Sequence, residues 1–153
     1  VVMAAAVADF RPATQADHKL ERGGGLSLQL EPTPDVLAQI ARLVHGTDRT
    51  GDAAGVPIVP APVLVEFAAE TGSLDRAADK LRRKGIDLLV ANDVAEPGSG
   101  FGTDTNRVSI LDAGGGRDDL PLLSKREVAD RLLDRVVAAL DARDADAQTS
   151  RRS

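Results

Sequence analysis

Between residues 73 and 84, Arg76, Lys80 and Lys84 recur at four-residue spacing with Arg83 beside them. On a helix that spacing stacks the cations on one face. Lys80 and Lys84 are then like charges one turn apart, which costs a few tenths of a kcal/mol. Asp79 is placed to pair with Arg83, and no local residue neutralises Lys80 and Lys84 together. Two readings follow: a solvated basic face, or a clamp for a polyanion such as a triphosphate. Three other polar groups stand at the ends of apolar runs: Asp9, Glu70-Thr71 and Asn92-Asp93. In open α/β sheets, ligands collect at the carboxyl ends of strands, so three such ends facing one crevice would form a site.

The elements that must position these residues alternate along the chain. Val1–Ala8 is a short apolar run that reads as a strand buried on both faces. Its residues are mostly small, which would let a ligand approach the backbone ahead of Asp9. Residues 9–25 are polar and end in Gly23–Gly25, a loop, and Leu26–Leu30 alternates as a half-buried strand. Thr33-Pro34-Asp35 reads as a helix start with Thr33 as cap, followed by the stripe Val36, Leu37, Ile40, Leu43, Val44 and a stop at Gly46. Residues 46–62 form a long loop. A second buried strand begins at Val63 and ends in FAAET. Ser73 caps the next helix and Gly85 ends it. Ile86–Val90 is a third buried strand, residues 94–106 are a loop, and Arg107–Asp112 alternates like an edge strand. Ser124 and Glu127 form a capping box ahead of an apolar face of Val128, Leu132, Leu133, Val136, Val137 and Leu140. The fold class is α/β with a mostly parallel sheet and flanking helices, over one domain spanning 1–142 with a disordered tail at 143–153.

Composition narrows the chemistry. The 153 residues contain no Cys and two His, which excludes a thiolate metal site and a cysteine nucleophile and makes a His-rich zinc site untenable. Only three Phe supply aromatic rings, too few for base stacking along a nucleic-acid strand. The net charge of −5 gives no global attraction to nucleic acid or anionic membrane, so neither is expected as a partner. No segment has the run of about 20 apolar residues needed to cross a bilayer, and a cytoplasmic location is expected. The glycine clusters match neither GxGxxG nor a Walker A loop.

AAAVADFRP (4–12), the loop lysine Lys19, TPDVL (33–37), EFAAET (66–71), KLRRKGIDLLVAND (80–93) and GFGTDTNRVSIL (100–111) occur in one order. Together they resemble the phosphopantothenate–cysteine ligase family, over residues 1 to about 140. The resemblance implies a Rossmann-like homodimer acting in coenzyme A biosynthesis. CTP would activate the carboxylate of 4′-phosphopantothenate as an acyl-cytidylate, with Mg²⁺, and the cysteine amine would displace CMP. It places Met3, Ala4 and Ala5 alongside the nucleotide with Asp9 at its site. Lys19 would reach the phosphates from its loop, and Pro34, Asp35, Val36 and Leu37 would present a helix N-terminus. Phe67 would lie against the nucleotide and Lys80 and Lys84 would bind it. No catalytic residue or metal ligand is assigned. FMN enters only if a decarboxylase is fused upstream, as is common in bacteria.

The chain departs from the family pattern in places. Glu66 stands where the family usually has Gly, a KxKK loop reads Lys19-Leu20-Glu21-Arg22, and NPDIL has become TPDVL. The family's first βα unit and its SSGK-type segment are not in this sequence, so the chain reads as the C-terminal part of the ligase domain, incomplete at the N-terminus and inactive alone. The alternative function is a non-catalytic nucleotide-binding or dimerisation module.

Overall fold

The computed structural model describes residues 1–20, 23–45, 61–70, 75–93, 96, 98–99 and 102–150. Glu21, Gly46, Thr71, Ser73 and the other residues between these ranges lie outside it, as do the roles expected of them.

A five-stranded sheet forms the centre. In spatial order it contains β1 (Val2–Met3), β4 (Val65–Glu70), β5 (Leu88–Asp93), β7 (Val108–Asp112) and β8 (Arg117–Asp119). β1, β4 and β5 pair in parallel, and β7 is antiparallel to both β5 and β8. Every strand but β7 therefore runs in one direction. Short ribbons flank the sheet: β2 (Phe10–Pro12) pairs with β3 (Leu30–Pro32), and β6 (Thr105–Asn106) pairs with β9 (Leu123–Ser124).

The two-residue period of the strands separates two cores. Leu64, Ala68, Leu89, Ala91 and Leu111 face one side, where they pack with Leu37, Ala41 and Val44 of α1 (Val36–Val44) and Ala77 and Leu81 of α2 (Asp75–Lys84). Val65, Leu88, Val90, Val108 and Ile110 face the other side and pack against Val128 and Leu132 of α3 (Lys125–Ser150). The result is three layers, with α1 and α2 above the sheet and α3 below.

Several local signals act as read. Gly85 takes φ +67 and closes α2, its N–H donating to the Leu81 carbonyl. The Ser124–Glu127 box forms in both directions: the Ser124 N–H donates to Glu127 Oε2 at 2.9 Å, and the Glu127 N–H donates to Ser124 Oγ at 3.2 Å. The Ser124 hydroxyl, which donates to Glu127 Oε2 at 2.7 Å, and then the Ser124 N–H hold the Glu127 carboxyl below the usual glutamate value.

Other expectations are corrected. The run 1–8 yields only the two-residue β1, at the sheet edge with Val1 and Val2 half-exposed, because its sole ladder partner is β4. Leu26, Leu28 and Leu30 are exposed, and the strand begins only at Leu30, so 26–30 is not the half-buried strand expected. Val36 and Leu43 are exposed, so the buried stripe of α1 is Leu37, Ala41 and Val44. The 107–112 segment is interior, since the charged β8 pairs beyond it. Asp79 pairs with Arg82 instead of Arg83.

α3 continues through Ser150, beyond the boundary drawn at 142. Arg143 anchors it, donating to the Ala61 and Pro62 carbonyls at 2.9 and 2.8 Å and pairing with Asp87. Asp87 in turn accepts from the Leu64 N–H at 2.7 Å. Arg143→Met removes three charge-assisted hydrogen bonds at a partly exposed site. It is expected to lower stability by about 2 kcal/mol, measured as a shift of the urea midpoint at constant slope. An unchanged midpoint would make the contact dispensable.

Candidate functional site

The chain after β1 does not continue as a strand. Residues 4–9 run irregularly past the carboxyl end of β4. Thr33 fastens this segment, its hydroxyl donating to the Ala8 carbonyl and its N–H to the Asp9 carbonyl at 2.9 Å. That use of Thr33 moves the helix cap to Asp35, whose carboxylate accepts from the Ala38 N–H at 3.0 Å. Either residue type can cap a helix. Thr33 is claimed by a partner 25 residues away.

A cleft of about 220 Å³ lies between this segment, the N-terminus of α1, β4 and α2. It is lined by Met3, Ala5 and Asp9, by Pro34, Asp35, Val36 and Leu37, and by Phe67, Lys80 and Lys84. Every nucleotide-binding position implied by the resemblance except Ala4 and Lys19 therefore lines this cleft, and Arg83 does not. Ala4 lines a second cavity of about 370 Å³ with Asn92, Asn106, Lys125 and Val128. Lys19 is exposed and lines neither cavity. The two cavities share Ala5, Ala6, Phe67 and Ala69 as a common wall. The strand-end group therefore divides, with Asp9 in the first cavity and Asn92 in the second. Asn106 belongs to the GFGTDTNRVSIL motif without an expected role of its own, and nothing in the local pattern marks Lys125.

The electrostatics of the first cleft centre on Glu66. As neighbours along β4, Glu66 and Phe67 point to opposite faces. Glu66 shares a face with Leu64 and Ala68, under α1 and α2. One oxygen, Oε1, lies 3.1 Å from Lys80 Nζ and 2.8 Å from Lys84 Nζ. Lys84 also reaches Asp35 Oδ2 at 3.1 Å. The side chains of Lys80 and Lys84 are 27% and 14% exposed, so they are not a solvated face. The residue that neutralises both is the one that departs from the family pattern, 14 and 18 positions before them.

Two ionisation equilibria are shifted by this arrangement. Burial acts to raise the Asp35 carboxyl, but the Ala38 N–H and the Lys84 ammonium outweigh it and hold the group below the usual aspartate value. Burial acts to lower Lys84, but hydrogen bonds to Glu66 and Asp35 outweigh it and raise the group above the usual lysine value. Chemically, the cleft offers an alanine-lined backbone, an aromatic wall, a helix N-terminus and two ammoniums, a set suited to a phosphorylated ligand.

Comparison with known proteins identifies relatives. A family model described as DNA/pantothenate metabolism flavoprotein C-terminal domain matches residues 1–140. The Coenzyme A biosynthesis bifunctional protein CoaBC of Mycobacterium tuberculosis is 42% identical over 148 residues, covering 92% of this chain and 33% of that protein. Its Bacillus subtilis counterpart is 39% identical over 140 residues, covering 90% and 31%. A Cysteine/Cysteine sulfinic acid decarboxylase from an unknown prokaryotic organism is 36% identical over 138 residues, covering 89% and 34%. The chain thus spans about a third of the length of the curated relatives it matches. A crystal structure of the C-terminal domain of CoaBC superimposes with a TM-score of 0.56 at 35% identity, covering 74% of this chain and 48% of that one. The fold is α/β and Rossmann-like.

Proposed function

The chain belongs to the DNA/pantothenate metabolism flavoprotein C-terminal domain family, and on that premise we propose that it supplies the nucleotide site for CTP-dependent joining of 4′-phosphopantothenate to cysteine in coenzyme A biosynthesis. The observation that carries this reading is the convergence of Met3, Ala5, Asp9, Pro34–Leu37, Phe67, Lys80 and Lys84, from four separated motifs, on one cleft. The names of the Mycobacterium tuberculosis and Bacillus subtilis relatives support the pathway.

In this reading the small side chains of residues 4–6 let the nucleotide lie against the backbone. Phe67 forms the wall between the nucleotide and the second cavity. The remaining N–H groups of Lys80 and Lys84 donate to the phosphate oxygens. The pantothenate carboxylate attacks the α-phosphorus and pyrophosphate leaves. The cysteine amine then attacks the acyl carbon and CMP leaves. The second cavity, with Asn92, Asn106 and Lys125 beyond the alanine wall, is placed to hold the acyl partner.

Among the described residues no group of three or more metal-ligating side chains exists. Independently of that, the proposed Mg²⁺ would arrive on the phosphates, with the Asp9 carboxylate of the cleft lining in reach. When bound, the ion would neutralise phosphate charge and assist the leaving pyrophosphate.

A homodimer is part of the same proposal. Phe10, Leu26, Leu28 and Leu30 on and beside the β2–β3 ribbon are exposed, as are Leu133 and Val137 on α3, and such surface favours association. No helix among the described residues is long and apolar enough to cross a membrane, and we propose a cytoplasmic location.

The test is pyrophosphate release in the presence of CTP, Mg²⁺, 4′-phosphopantothenate and cysteine. Joined to the part of the Bacillus subtilis relative that it does not cover, the chain should turn over at about 1 per second or faster, with release dependent on phosphopantothenate. The 153 residues by themselves should bind CTP without turnover. Absence of release from the joined protein would refute the ligase reading.

A further inference from the structure

We infer that Glu66 is an internal counter-anion that competes with bound phosphate for Lys80 and Lys84, so that the cleft takes a polyphosphate as its magnesium complex in preference to the free anion. This rests on the nucleotide reading of the same cleft and adds what governs ligand charge there.

Glu66 Oε1 sits between the two ammoniums, where an anionic ligand atom would otherwise sit. Lys84 donates to Glu66 Oε1 at 2.8 Å and pairs with Asp35 at 3.1 Å, and Lys80 forms an ion pair with Glu66 at 3.1 Å, out of three N–H donors on each ammonium. Donors remain for a ligand, so the site is not blocked. Its charge is nevertheless already balanced: two ammoniums face the carboxylates of Glu66 and Asp35, with Asp9 also lining the cleft. A polyanion therefore meets no net positive field.

The second oxygen, Oε2, is buried and has no hydrogen-bond partner among the described residues. The carboxylate is thus held through Oε1 by the two lysines alone. A phosphate that draws either ammonium away leaves a buried carboxylate less well compensated, which opposes binding. A free triphosphate carries about four negative charges, and a bound Mg²⁺ cancels about two of them. The magnesium complex therefore suffers less repulsion from Glu66. A like charge about 6 Å from a phosphate, at an effective dielectric near 40, weakens binding about tenfold.

The experiment is calorimetric titration of the intact protein with inorganic tripolyphosphate and with CTP, each in chelator and in Mg²⁺, for the parent and Glu66→Gln. In chelator, Glu66→Gln should bind tripolyphosphate about tenfold tighter than the parent, and Mg²⁺ should strengthen the parent by the larger factor. Equal affinities in chelator overturn the inference, and so does an absence of binding by both proteins. If Glu66→Gln does not melt cooperatively, Glu66→Gly provides the same comparison. The parent alone provides another: equal tripolyphosphate affinity with and without Mg²⁺ also overturns the inference. A response of tripolyphosphate to Glu66, with CTP binding no tighter than tripolyphosphate in any protein, supports the Glu66 role and counts against the nucleotide reading.

Discussion

Replacing Lys84 by Met lowers the stability of the fold by about 2–3 kcal/mol at pH 7. Lys84 bridges Glu66 and Asp35 with its side chain only 14% exposed. Removing one member of a buried ion pair costs about 3–5 kcal/mol, because the other charge stays buried without compensation. Lys80 keeps its contact with Glu66, which places the loss at or just below the low end of that range. The sign with pH follows from the directions in which Lys84 and Asp35 are shifted. The Lys84 value is raised in the fold, so its stabilisation is fully present below the ordinary lysine value and is lost as pH rises through the folded value. The Asp35 value is lowered, so its contribution is present above the ordinary aspartate value and is lost as pH falls through the folded one. At pH 7 both are charged and the full effect is measured. Urea unfolding of the parent, Lys84→Met, Glu66→Gln and the double variant closes a cycle, whose coupling should exceed about 1 kcal/mol. A solvated lysine face would instead give no loss, or a gain of a few tenths of a kcal/mol from relieved repulsion.

What was legible in the sequence shared one physical character: signals complete within a few residues. Of the apolar face expected on α3, Val128, Leu132 and Val136 pack on the sheet and Leu133, Val137 and Leu140 are exposed, whereas the Ser124–Glu127 box and the αL glycine at 85 form where the local pattern places them. The same holds for the motif residues of the cleft, because each motif carries its own local conformation and the α/β topology brings strand ends together. The rest depended on distant partners. An apolar run such as 1–8 does not reveal whether it has one neighbouring strand or two. β8 is three charged residues, Arg117–Asp119, that form a strand only because β7 offers an edge. The choice of Asp35 over Thr33 as cap follows from the Ala8 carbonyl. The neutralisation of Lys80 and Lys84 follows from Glu66, visible beforehand only as an unusual residue. Arg143 reads as part of a polar tail until Asp87 and two loop carbonyls are placed beside it.

If CTP occupies the proposed cleft walled by residues 5–9, α1, β4 and α2, Ala5→Leu should exclude it. Ala5 is exposed in an irregular segment, so the larger side chain has no core packing to disturb. It also lines both cavities, so the added carbons project into space the ligand needs. Overfilling a site of this kind costs about 1–3 kcal/mol, and here the loss falls on binding alone. Calorimetric titration with CTP and Mg²⁺ should give one site per chain for the parent. For Ala5→Leu the affinity should fall by on the order of 100-fold, with the melting temperature unchanged. Equal CTP affinity in the two proteins, with the fold intact, would put the nucleotide elsewhere and contradict the claim.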